Sequence, residues 1–132
     1  YKSTMDKALA KSWIEKLRSN EYVQGKEVLR DKDNAFCCLG VLCDMYVNKG
    51  VGAWERHSDR YLYKREDQQS AYTLVTLLIN DTYLDRGEET ELTEMNDEGC
   101  TFEEIADFLE RRYIKGETVD YADYIRIARE RS

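Results

Sequence analysis

The sequence predicts a single, mainly α-helical domain spanning residues 1–132, with about five helices and a small irregular or β portion in its middle. An α+β fold is the alternative. The chain of 132 residues has the length of one domain, and 42% of its residues are hydrophobic, which is enough for one buried core. It contains no proline, the residue that most often interrupts helices. Apolar side chains also recur at helical spacing near both ends of the chain.

The first half of the chain contains two predicted helices joined by a loop. The first helix covers residues 4–19, where apolar side chains recur every four residues at Met5, Leu9, Trp13 and Leu17. Residues 21–34 contain a glycine and the turn-forming sequence DKDN, which predict a loop or a short hairpin arm. Residues 35–47 are almost continuously apolar and predict a buried helix, with a strand at residues 36–39 as the alternative. Gly40 in this segment would let a neighbouring element approach closely.

The middle of the chain gives weaker signals. Residues 50–70 show no clean period, which predicts a long loop or a small β element. Residues 70–84 fit either a helix or a strand, since threonine, valine and tyrosine favour extended backbone. The sequence RGEETE is expected to break that element, and residues 92–99 are expected to form only a short helical turn.

The C-terminal segment predicts two further helices. Thr101 and Glu104 have the spacing of a capping box, in which each side chain bonds the free backbone N–H of the other residue. A helix is therefore expected to begin there and to end near Gly116. The last helix is expected to cover residues 119–129.

Four cysteines invite a metal, disulfide or nucleophile interpretation. Cys37, Cys38 and Cys43 lack the spacing of structural zinc ligands, and Cys100 is distant in sequence. A persistent disulfide does not suit a cytosolic protein. A nucleophilic Cys43 would need His57, the one histidine, as its base. Because free cysteine behaves as a small hydrophobic residue, we expect reduced, buried thiols and no metal or cofactor.

Six polar and aromatic side chains are the candidate ligand-binding residues: Tyr22, Gln24, Arg30, Trp54, Asn96 and Asp97. The segment around the first three combines an aromatic ring, an amide and cations, which suits either a pocket for a small anionic ligand or an ordinary edge loop. Trp54 could stack on a planar group or fill the core. For the last two, backbone capping is the favoured interpretation and ligand contact is the alternative.

The distribution of charge argues against binding to a phosphate backbone. The net charge is −7, and residues 80–110 carry twelve acidic side chains and one basic one. Nucleic-acid-binding proteins usually show a basic excess, so direct binding to a nucleic-acid backbone is not expected. A basic protein surface is a better partner for this segment. No apolar run is long enough to span a bilayer, and a cytoplasmic location is expected.

One set of motifs resembles a family of small phage and prophage proteins. The motifs are Trp13 to Leu17, EYVQG followed by LR, FCCLGVLCDMY, and LTEMNDEGCTFEEIADFLE. The likeness covers about residues 12–112, except for residues 50–90. Within it, the string Cys-Cys-Leu-Gly-Val-Leu-Cys is the most specific part. The resemblance implies a provenance and no particular activity.

That provenance predicts a non-catalytic phage accessory protein that counters host defence by binding. It would either sequester a small nucleotide signal or block a host defence protein as an inhibitor. The alternatives are an acidic mimic of DNA and a small thiol-dependent or carboxylate-dependent hydrolase. Ten tyrosines and two tryptophans exceed what one small core readily hides, so a homo-oligomer is a further expectation.

Overall fold

A computed structural model describes residues 5–64 and 84–132 of the chain. The helices in these ranges are α1 (Lys7–Arg18), α2 (Cys38–Asn48), α3 (Arg86–Asp97), α4 (Phe102–Leu109) and α5 (Tyr121–Arg131). Helix α4 continues into a π-helical turn at Glu110–Ile114. The strands in these ranges are β1 (Val23–Gln24), β2 (Arg30–Asp31), β3 (Ala35–Phe36), β4 (Ala53–His57) and β5 (Arg60–Lys64).

The mainly α prediction is wrong, because the described residues form an α+β structure with a five-stranded mixed sheet. The strand order is β1-β3-β2-β5-β4, in which β1 and β3 are parallel and the other neighbours are antiparallel. Three of the strands contain only two residues, which is too short for an alternating apolar pattern to be visible in the sequence. Of these three strands, β2 pairs with β5 of the β4–β5 hairpin, which joins distant parts of the chain.

The register of the sheet sets which side chains share a face. Tyr61 on β5 is paired with Arg30 on β2 and with Arg56 on β4. Paired residues on neighbouring strands point to the same side of a sheet, so these three side chains form a row. Trp54 and Tyr63, which are paired with each other, lie two positions along on the same face.

The helices enclose a core on which the sheet packs. Trp13 of α1 is fully buried, and its indole N–H donates a hydrogen bond to the carbonyl of Cys38 at 3.0 Å. Helix α1 lies against α4 and α2, while α3 contacts α2 and α5. The predictions of the first and last helices are confirmed, each with its ends shifted by a few residues.

Residues 92–97 are the second half of α3 and not the short separate turn that was predicted at 92–99, because RGEETE forms the first turns of this helix. Asp85 and Glu88 make a capping box, and Glu88 is buried with its carboxylate accepting a hydrogen bond from the Tyr113 hydroxyl. The capping box of Asp85 and Glu88 has the same spacing as the confirmed capping box of Thr101 and Glu104. It was not recognised in the sequence because Gly87 lies within it. The segment 70–84 lies almost wholly outside the described residues.

Gly40 permits a close approach between two backbones, as its position in the sequence suggested. A Cβ atom placed on Gly40 would lie 1.8 Å from the carbonyl oxygen of Leu29. That same oxygen accepts a hydrogen bond from the N–H of Cys37 at 3.2 Å. The loop before β2 therefore rests directly on the first turn of α2.

We expect Gly40→Ala to lower the free energy of unfolding by about 3 kcal/mol, because the added methyl overlaps a backbone oxygen that cannot rotate away. Urea denaturation followed by circular dichroism measures the change. Gly87→Ala, where the nearest atom outside its own backbone is Asp85 Oδ1 at 3.3 Å, is the control and should stay within about 1 kcal/mol of the parent. Equal stability of the two variants would contradict the close approach.

Candidate functional site

The six predicted ligand-binding residues separate into two groups in the structure. Gln24, Asn96 and Asp97 form one group, which we call the amide cluster. Tyr22, Arg30 and Trp54 lie around the ring of Phe36 in a second group. Gln24 and Phe36 are paired neighbours in the sheet, so the two groups adjoin.

The side chain of Gln24 is fully used inside the protein. Its amide nitrogen donates to Asn96 Oδ1 at 2.9 Å and to the carbonyl of Cys100 at 2.8 Å. Its amide oxygen accepts from the N–H of Phe102, the first residue of α4, at 3.1 Å. Gln24 thus fixes β1 to the connection between α3 and α4.

Asn96 is fully buried and joins three other segments. Its oxygen also accepts from the N–H of Cys38, the first residue of α2, at 3.2 Å. Its nitrogen donates to the carbonyl of Gly25 at 2.7 Å. Next to it, Asp97 accepts from the N–H of Glu27 at 2.9 Å, where the backbone has a positive φ of 70°. The amide cluster is therefore an internal scaffold, and capping is the role that its geometry supports.

We expect Asn96→Ala to lower the free energy of unfolding by about 3 kcal/mol, because it leaves a buried N–H and a carbonyl without partners. Thermal and urea denaturation measure the loss. Asn48→Ala is the matched control, since Asn48 is exposed and makes one long hydrogen bond, to Asp44 at 3.5 Å. If the two variants lose the same stability, the scaffold role is refuted.

Asp44 of α2 organises the aromatic group. Its two carboxylate oxygens accept from the Tyr22 hydroxyl at 2.7 Å and from the Trp54 indole N–H at 2.9 Å. Burial, together with the hydrogen bond to this carboxylate, raises the pKa of the Tyr22 hydroxyl well above its ordinary value. The phenol therefore stays protonated and holds its orientation throughout the physiological pH range.

Beside this group lies the row of Arg30, Tyr61 and Arg56, which we call the cation–aromatic surface. The guanidinium carbon of Arg30 is 3.9 Å from the centre of the Tyr61 ring, and that of Arg56 is 5.4 Å from it. The Arg30 guanidinium also lies 5.5 Å from the centre of the Trp54 ring. Stacking on an aromatic ring occupies the face of a guanidinium and leaves its N–H edges available for bonding.

Neither arginine of this surface has an acidic partner in the described part of the chain. Arg30 is held by Asn34, whose side-chain oxygen accepts from Nε at 3.0 Å and from Nη2 at 2.6 Å. Arg56 donates from Nε to the carbonyl of Ser58 at 2.9 Å. Seven other arginines are in ion pairs, namely Arg18, Arg60, Arg111, Arg112, Arg126, Arg129 and Arg131. Two uncompensated positive charges therefore flank one tyrosine ring.

Four residues of these two groups were not among those predicted from the sequence: Tyr61, Arg56, Asn34 and Asp44. A signal for the first two was present, because Trp54 and Arg56, like Tyr61 and Tyr63, are two residues apart on either side of a short polar turn, which is typical of a hairpin. Asn34 and Asp44 gave no such signal, since their roles depend on contacts that the sequence does not reveal.

The acidic segment is largely satisfied within the protein. Five of its glutamates form ion pairs with arginines of α1, the π-helical turn or α5: Glu91, Glu98, Glu103, Glu104 and Glu110. Asp107 accepts a hydrogen bond from the Tyr124 hydroxyl at 2.6 Å. These partners reduce the negative charge that the segment presents to another protein or as an imitation of DNA.

The four cysteines are free and buried, as the sequence predicted for Cys37, Cys38 and Cys43. Burial raises the pKa of the Cys37 and Cys100 thiols to about 11, and it raises the pKa of the Cys38 and Cys43 thiols well above the ordinary value. The Sγ of Cys37 also accepts from the N–H of Gly40 at 3.3 Å, capping α2.

The geometry does not support a thiol nucleophile. Cys43 is fully buried on α2, whereas His57 is exposed at the end of β4 and lies 2.8 Å from a carboxylate oxygen of Glu55. Within residues 5–64 and 84–132, no group of three or more histidine, cysteine or acidic side chains is placed to hold a metal ion. None of the helices in those ranges is long and apolar enough to cross a membrane.

We expect no more than a trace of thiol labelling by a thiol-reactive disulfide reagent in the native protein at pH 7.5, because the thiols are both buried and protonated. All four should react once the protein is unfolded in guanidinium, which is the internal control. Rapid stoichiometric labelling of one native thiol would restore the thiol-dependent hydrolase as a candidate.

Comparison with known proteins identifies one family. The model of a family described as Domain of unknown function (DUF8296) matches residues 5–82. The match includes the cation–aromatic surface and Gln24, and it ends before α3. No curated protein and no solved structure matches the chain.

Proposed function

Because the chain belongs to the family described as Domain of unknown function (DUF8296), whose description names no activity, we propose its function from the site and from the resemblance to phage proteins. The protein is a non-catalytic phage accessory protein that acts in the cytoplasm of the host cell. It counters host defence by sequestering a small nucleotide signal. The ligand binds at the cation–aromatic surface.

One observation carries the proposal: Arg30 is a half-buried, stacked cation with no carboxylate partner in the described residues. A guanidinium in that state is not neutralised, and Nη1 of Arg30 has no hydrogen-bond partner in the described residues, which suits a phosphate oxygen. Asn34 fixes its orientation without neutralising it, since an amide oxygen carries no net charge. The neighbouring rings of Tyr61 and Trp54 are suited to contact with a planar base.

Sequestration is better supported than the other functions considered. Blocking a host protein through the acidic segment is less favoured, since many of its carboxylates already have internal partners. The same pairing weakens the DNA-mimic alternative, which needs exposed charge at regular spacing. The buried thiols weaken the thiol-dependent hydrolase.

We expect a nucleotide to raise the melting temperature by about 10 °C at a concentration near one hundred times its Kd, because it binds only the folded protein. The panel contains cyclic mononucleotides, cyclic dinucleotides and ADP-ribose-type nucleotides. Differential scanning fluorimetry detects the shift, and isothermal titration calorimetry confirms each compound that produces one.

The matched variants are Arg30→Gln and Arg126→Gln. Arg126 is an exposed arginine of α5 that pairs with Asp123 and Glu130, so its loss removes the same charge at a remote place. The shift should disappear in the first variant and persist in the second. If no compound shifts the melting temperature, nucleotide sequestration is refuted. Equal shifts in both variants would show that the nucleotide binds at a site other than the cation–aromatic surface.

A further inference from the structure

The cation–aromatic surface carries two positive charges in a fixed arrangement. Tyr61 stands on β5, between Arg30 on β2 and Arg56 on β4, and each arginine is its direct cross-strand neighbour. Adjacent strands are about 4.8 Å apart, so the two arginine backbones are about 10 Å apart. Both guanidinium groups incline toward the tyrosine ring, at 3.9 and 5.4 Å from its centre.

Each guanidinium is positioned by a neutral acceptor. Nε and Nη2 of Arg30 bond to the side-chain oxygen of Asn34, and Nε of Arg56 bonds to the backbone carbonyl of Ser58. Asn34 and Ser58 both adopt positive φ, at 62° and 58°, in the turns that bring these acceptors close. The acceptors hold the arginines in place, and Nη1 of each has no hydrogen-bond partner in the described residues.

These contacts indicate what a ligand must supply. A single phosphate takes two parallel N–H donors from one arginine, which leaves the second arginine unmatched. Tyr61 stands between the two arginines in the row. A single phosphate that pairs with one guanidinium must therefore reach past the tyrosine to contact the other. A ligand with two linked anionic groups can place one on each arginine and span the tyrosine.

We infer that the ligand of this surface carries two linked phosphate groups, as in a nucleoside diphosphate or another pyrophosphate-bridged nucleotide, with one phosphate on Arg30 and the other on Arg56. The inference rests on the proposed function and narrows its ligand class. Arg56 is then a ligand-binding residue that contributes as much to the affinity as Arg30.

Calorimetric titration with AMP, ADP and ADP-ribose at a fixed low salt concentration tests the inference. ADP and ADP-ribose should bind at least about tenfold more tightly than AMP, because a second charge-assisted contact is made. Their affinity should also fall more steeply than that of AMP as salt is added, since more charge is neutralised on binding.

Variants separate the two arginines. Arg56→Gln should lower the affinity for ADP to that for AMP in the parent protein, while AMP binding changes less than threefold. Arg56 is exposed, so this variant is expected to fold. Arg30→Lys retains the charge at the half-buried position and should weaken ADP about tenfold through loss of the planar, stacked fork. Arg126→Gln should leave all affinities unchanged.

The outcomes distinguish the inference from the proposed function. Equal affinities for AMP and ADP, with both lost in Arg30→Gln, would overturn the two-phosphate ligand and leave nucleotide binding intact. Binding of none of the compounds would overturn both. If a single-stranded oligonucleotide binds more tightly than ADP, the ligand of this surface is a nucleic acid and not a small nucleotide.

Discussion

The hydrogen bonds of the amide cluster are the constraint on which the rest of the structure depends. Asn96 and Gln24 together reach β1, the start of α2, the end of α3 and the start of α4. Most hydrogen bonds of both side chains are made to backbone groups that secondary structure leaves unpaired, at a helix start and in loops. A buried amide is expensive when its partners are missing, so these bonds specify one arrangement of the segments as well as stabilising it. Backbone capping, the favoured interpretation of Asn96, therefore accounts for its contacts in the fold, and Gln24 has the same kind of role.

The position of the cation–aromatic surface follows from that scaffold. Gln24 is paired with Phe36 in the sheet, and Phe36 lies against both Tyr22 and Trp54. Asp44 of α2 then fixes those two rings by accepting a hydrogen bond from each. Gly40 allows the chain before β2 to rest on α2, which places Arg30 at the edge of the aromatic group. A rigid sheet and helix thus carry the side chains, which is the condition for a binding surface whose geometry exists before its ligand arrives.

The sequence could predict the helices because their signals are local. The apolar spacing from Met5 to Leu17 and the capping box of Thr101 and Glu104 need no knowledge of the remaining chain. The sheet could not be predicted in the same way, because a two-residue strand has no period and its partners are distant in sequence. The candidate site was predictable in part. Tyr22, Arg30 and Trp54 were suggested by residue type, whereas Asp44 and Asn34 matter only through contacts made after folding.

The negative net charge of the chain does not conflict with an anionic ligand. Charges in water are screened over about 8 Å at physiological ionic strength, so the nearest groups determine the local potential. Four glutamates in or next to α3 and α4 are paired with arginines of α1, the π-helical turn and α5, namely Glu91, Glu98, Glu103 and Glu104. Arg30 and Arg56, by contrast, have only neutral acceptors. Seven arginines of the described ranges are in ion pairs with acids, whereas Arg30 and Arg56 lie beside a tyrosine with neutral acceptors. The arrangement of charge, rather than its sum, is what favours phosphate at this surface.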